Sequence, residues 1–190
     1  MPMQLIKKLI RLLIFSSLVM LLTSKALMAE ERLGPRLQIG LNLFPAVVAA
    51  NKRLSQLSKD KPLTVYIVYS DKINLSKKLK QTLQMLPSIR GHELNIKEIQ
   101  YADLIAQNIT QYNAIFIGEK MGPALAEIIQ YAIKQQVILF SPFKGDVEQG
   151  VISGFKVSNK VLPAINIKSM NSANIDLKAF FLRVAVKYDQ

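Results

Sequence analysis

Three short runs, 63–69 (LTVYIVY), 114–117 (AIFI) and 137–140 (VILF), are apolar almost throughout and rich in β-branched and aromatic residues. Such runs read as strands covered on both faces of a sheet. Between the first and second, residues 94–99 alternate apolar and polar, the signature of a half-exposed edge strand. Helical spacing fills the gaps. Leu75, Leu79, Leu83 and Leu86 share one face of a helix over 73–85, and Leu125, Ile128, Ile129, Ala132 and Ile133 share one face of a helix that follows Pro123. Residues 101–109 carry a weaker helical pattern. The order up to Phe140 is βαβαβαβ, which predicts an α/β fold: a single domain with a mainly parallel sheet and helices on both faces.

The flanks extend this plan. Leu37, Leu41, Phe44, Val47 and Val48 recur at helical spacing over 36–50, and Pro45 is expected to interrupt or shorten that helix. Residues 51–61 are polar and read as a linker. After residue 150, the runs 151–157 and 160–165 flank Ser158-Asn159 like a hairpin on one edge of the sheet, with Pro163 tolerable only at an edge. A short polar helix over 166–174 follows. Leu177, Phe180, Phe181, Val184, Ala185 and Tyr188 then predict an amphipathic closing helix.

At the other end, Lys7, Lys8 and Arg11 precede an apolar run at 12–22, and small residues at 24–29 suit cleavage. That pattern predicts a cleaved signal peptide, because a membrane anchor needs about 20 apolar residues. The expected organisation is a signal peptide over 1–29, a helix and linker over 30–61, and the α/β domain over 62–190. The expected location is the periplasm.

Composition narrows the chemistry. The 190 residues include no cysteine, which excludes thiol redox chemistry and disulfides. The net charge is +12; setting aside the four cations of the first 29 residues leaves 21 basic against 13 acidic residues, a balance of +8. No Lys/Arg block with interleaved aromatics occurs, so nucleic acid is not an expected partner.

Parallel sheets place their ligand crevice outside the carboxyl ends of the strands. Three loops should meet there, carrying Ser70 and Asp71, Gly118 and Glu119, and Ser141, Phe143, Gly145, Asp146 and Glu148. Ser70 and Asp71 read as helix caps or as contacts. Asp146 and Glu148 read as solvated turn residues or as a pair holding a cation or amine, and Phe143 as a core plug or a stacking surface. Pro142 should end the strand at 137–140, while Gly145 and Gly150 permit turns. Catalysis has little support. His92 is the sole histidine, Ser141 lacks a G-x-S-x-G setting, and no phosphate-binding glycine motif occurs, so no cofactor and no metal are expected.

The carboxy-terminal third resembles the YfiR/HmsC-like family of exported proteins. The resemblance rests on Val137-Ile138-Leu139-Phe140-Ser141, Gly150-Val151-Ile152, Val161 with Ile165-Asn166-Ile167, Ala173 with Ile175, and Phe181-Leu182 with Val184-Ala185. The tryptophan segment usual near that family's amino terminus is absent, as are the cysteines some relatives use for redox control. The resemblance implies a non-enzymatic periplasmic regulator that binds the periplasmic domain of a membrane-bound sensor or receptor, typically a diguanylate cyclase. The alternative is a single-lobe periplasmic component that binds a small molecule.

Overall fold

The apolar runs become β1 (Leu63–Tyr69), β2 (Leu94–Gln100), β3 (Ala114–Ile117) and β4 (Ile138–Phe140) in a computed structural model that describes residues 33–189. The expected signal peptide lies outside the described residues. The hairpin supplies β5 (Ser153–Val157) and β6 (Val161–Asn166), and a last strand, β7 (Val186–Tyr188), completes one sheet in the order β2-β1-β3-β4-β5-β6-β7. All pairs are parallel except β5 with β6. The α/β architecture with a mainly parallel sheet is the one the alternating pattern implies.

Helices cover both faces. On one side lie α1 (Pro35–Ala50) and α2 (Ile73–Gln84), which touch each other over the face that carries Ile67 and Phe116. On the other lie α3 (Tyr101–Ile105), α4 (Ala124–Gln135) and α5 (Ile167–Ser172), with Tyr131 of α4 beside Tyr66, whose side chain points away from Ile67's face. Each apolar helical stripe meets an apolar strand. Leu79, Leu83, Ile128 and Ala132 are accordingly at most 1% exposed.

Phe44 of α1 reaches Phe116 of β3 and Phe140 of β4, with ring centroids 5.4 and 5.6 Å away, both edge-on, and those two rings stack at 5.5 Å. All three rings are fully buried. Aromatic pairs at these separations add about 0.5–1.5 kcal/mol each beyond the area they bury. Gly40, one turn before Phe44, lets α1 come this close, since a β-carbon there would lie 2.8 Å from Pro142 Cβ and 3.3 Å from Phe140 Cε1.

Four expectations are corrected. Pro45 does not interrupt α1: the helix runs through it, because buried Phe44, Val47 and Val48 on either side hold it against the sheet. The polar stretch after it contains a 3-10 turn, Lys52–Gln56, begun by Asn51, whose side chain accepts from the Arg53 amide. Lys52 donates its amide to the Asp176 carbonyl and Arg53 donates to the Asn174 carbonyl, so this stretch is tied down. The hairpin is not an edge, because β7 pairs with Ala164, Ile165 and Asn166 of β6; that pairing starts just past Pro163, so the missing proline donor costs the ladder nothing. The amphipathic closing helix is only α6 (Ala179–Val184), which turns into β7 at Ala185. Its helical pattern is overridden by an open strand edge, and Phe180 and Val184 stay 57% and 55% exposed.

Gly40→Ala should lower stability by about 1–3 kcal/mol, the usual range for overpacking against rigid neighbours. Urea unfolding with an unchanged slope checks it. A variant as stable as the parent would show that α1 does not sit this tightly on Pro142.

Candidate functional site

β4 runs into a loop, residues 141–152, whose two ends meet: the Ser141 amide donates to the Ser153 carbonyl at 2.9 Å, and β5 leaves parallel to β4 beside Phe140. Compact loops of this length hold together by their own side chains and backbone groups. Here Ser141 Oγ donates to Asp146 Oδ2 at 2.5 Å and accepts from the Phe143 amide at 3.1 Å. The Val151 amide donates to the Asp146 carbonyl at 3.0 Å, and Asn166 Nδ2 donates to the Val147 carbonyl at 2.9 Å. Gly145 and Gly150 sit at φ 92° and 113°, which residues with a β-carbon resist. The loop is therefore a fixed platform.

Asp146 lies inside that platform, 6% exposed. Burial pushes its carboxyl above the ordinary 3.8; the Ser141 hydroxyl, Lys120 and Arg36 pull the other way, and Glu148 adds to the rise. Its hydrogen bond to Ser141 keeps the buried group partnered, as a buried polar group must be.

One rim neighbour is equally spent. The Glu119 carboxylate, also 6% exposed, accepts at Oε1 from the amides of Ser70, Asp71 (2.7 Å) and Lys72 (3.2 Å). Those amides lead into α2, whose amino end has no other side-chain cap. A carboxylate at a helix amino terminus satisfies orphan donors and complements the dipole. The expected caps, Ser70 and Asp71, are thus replaced by a residue from the next loop.

The open part of the rim lies on the far side of the 141–152 loop. There a cleft of about 350 Å³ is walled by Arg36, Phe143, Lys144, Glu148, Phe155 and Tyr188, and exposed Lys156 also lines it. Arg36 is held in place: its Nε donates to the Pro142 carbonyl at 2.8 Å, and its guanidinium lies 4.6 Å over the Phe155 ring. Burial raises the Tyr188 hydroxyl's pKa, and its hydrogen bond to Glu148 adds to the shift.

The structure thus divides the sequence's candidates. Gly118, Glu119, Ser141 and Asp146 are buried and bonded internally; Gly118 donates its amide to the Val68 carbonyl at 2.8 Å. Ser70 and Asp71 sit at the rim beside Glu119, outside the cleft, whereas Phe143, Gly145 and Glu148 line it. Arg36, Lys144, Phe155, Lys156 and Tyr188 were missed. Arg36 had a signal in the sequence: it is a cation in the first turn after Gly34-Pro35, where the helix dipole disfavours positive charge.

No curated protein matches the chain. Among solved structures, a conserved domain protein from Vibrio cholerae O1 biovar El Tor superposes with a TM-score of 0.56 at 16% identity, over 83% of this chain and 61% of that one. The ABC domain in complex with L-Trp from Streptococcus pneumonia gives 0.52 at 11% identity, over 80% and 61%. CD0873, a substrate binding protein with adhesive properties from Clostridium difficile, gives 0.51 at 13% identity in its ligand-free, open structure, over 79% and 59%. The chain spans about three-fifths of the length of each, and at these identities the likeness is one of fold. The family model described as YfiR/HmsC-like matches residues 53–186, from the turn after α1 to the first residue of β7, and the chain belongs to that family.

Proposed function

We propose that this protein is an exported, non-enzymatic regulator that binds the periplasmic domain of a membrane-bound sensor, of the diguanylate cyclase kind that the family implies, using the face of the 141–152 loop. Membership of the YfiR/HmsC-like family carries the reading. The loop supports it. Internal hydrogen bonds hold it rigid while Phe143, Lys144 and Glu148 stay accessible on its outer side. Pre-organised surfaces of this kind bind without the entropy cost of ordering a mobile segment. Ser141 and Asp146, the residues with the chemistry for hydrolysis, are committed to each other, and His92 is buried at the opposite rim, where Nδ1 donates to the Lys61 carbonyl at 3.2 Å. Among the described residues no helix is long and apolar enough to cross a membrane.

The second reading, a single-lobe solute-binding component, draws on the fold shared with the substrate binding protein. Against it, the position where a solute carboxylate would meet the α2 amides is filled by Glu119.

Capture of inner-membrane proteins on the immobilised protein should retain a sensor through its periplasmic domain, and Phe143→Ala with Lys144→Gln should weaken that capture without moving Tm. Failure of the parent to retain any inner-membrane sensor would overturn the reading. Glu119→Ala should lose about 1–3 kcal/mol, since it orphans three amides, and acetate should raise the variant's Tm but not the parent's; an equal acetate effect on both would favour an open solute crevice. A raised carboxyl pKa contributes stability that is present in acid and is lost as pH rises through it. The parent should therefore lose stability relative to Asp146→Asn as pH climbs from about 4 towards neutral, measured by denaturant unfolding at several pH values; a relative gain would contradict the buried carboxyl.

A further inference from the structure

The cleft beside the 141–152 loop has a charge pattern of its own. Arg36, Lys144 and Lys156 bring three cations to it against one carboxylate, Glu148, which already accepts the Tyr188 hydroxyl. Lys144 and Lys156 have no ion-pair partner among the described residues. The Arg36 guanidinium is fixed by Pro142 and Phe155 through Nε and one ring face, and its two terminal nitrogens have no hydrogen-bond partner among the described residues. A pinned guanidinium with a free fork suits bidentate recognition of an oxyanion.

The cation also stands where helix physics opposes it. α1 begins without a side-chain cap bond and without an acid in its first turn, so the positive end of a 16-residue helix dipole and the Arg36 charge reinforce one another. An anion in the cleft relieves both. The surplus of two positive charges fits a dianion better than a single carboxylate, and a phosphomonoester carries about −1.5 to −2 near neutral pH. Phe143 and Tyr188 line the same space and offer ring surface to a flat or apolar substituent.

We propose that the Arg36–Lys144–Lys156 cleft is a phosphomonoester-binding site, with the phosphate forked by Arg36 and its substituent against Phe143 and Tyr188. The phosphate can come from a soluble compound or from a lipid headgroup. The site is independent of the sensor reading, because its occupancy is measured on the purified protein with no partner present.

The test is a titration followed by the Arg36 Nε–H and loop amide resonances, with phenyl phosphate in one arm and, in the other, phosphatidylcholine vesicles with and without phosphatidic acid. Benzoate serves as the carboxylate comparison. Phenyl phosphate or phosphatidic acid vesicles should bind, and the arm that does names the source. Lys144→Gln with Lys156→Gln, both exposed and clear of the core, should weaken binding about tenfold, the effect of losing one to two charge-assisted bonds. Arg36→Lys keeps the charge, removes the fork and should weaken it comparably. Binding in neither arm, binding that these variants leave unchanged, or benzoate binding as tightly as phenyl phosphate would each overturn the assignment.

Discussion

The contact of Phe44 with Phe116 and Phe140 fixes more of this molecule than any other. It presses α1 onto the short central strands β3 and β4 towards their carboxyl ends, with Gly40 against Pro142, the residue at which β4 gives way to the loop. The same helix carries Arg36 at its amino end, hydrogen-bonded to the Pro142 carbonyl. Core packing and cleft geometry are thus set by one docking event. Interiors packed to near-crystalline density transmit such placement instead of absorbing it, so the position of Arg36 follows from the fit of rings some two turns away along α1.

Two carboxylates at the rim show how one chemistry can be put to two structural uses. Glu119 meets a helix amino terminus and accepts from three backbone amides. Asp146 meets one hydroxyl inside a buried loop, where desolvation is the largest influence and raises its pKa. Both are consumed in building the rim, which moves the accessible chemistry outward to Arg36, Lys144, Glu148 and Tyr188. The crevice common to parallel sheets is present, but its walls are held shut by residues of the chain itself.

Much of the architecture was legible because the strands are apolar runs and the helices carry clean stripes, so period alone separates them. The failures came where tertiary pairing outweighs local pattern. Residues 177–188 have a helical period, yet Val186, Lys187 and Tyr188 extend to satisfy the open side of β6. Pro45 should end a helix by its own chemistry, yet packing on both sides of it carries α1 through. The 141–152 loop was conspicuous for its Pro and Gly, and Gly145 and Gly150 do take positive φ, but no spacing in the sequence tells that Ser141 and Asp146 face inward while Phe143 and Glu148 face out. The cleft's far wall was hidden for a simpler reason: Arg36, Phe155 and Tyr188 are separated by long stretches of chain, and only the docking of α1 and the pairing of β7 unite them.

Amide hydrogen exchange in Phe44→Ala measures the central dependence directly. If α1 seats the loop, the Ser141 and Val151 amides, bonded to the Ser153 and Asp146 carbonyls, lose protection together with the amides of α1. If α1 loses protection while those two amides keep the parent's exchange rates, the loop stands on its own and the account given for the cleft is wrong.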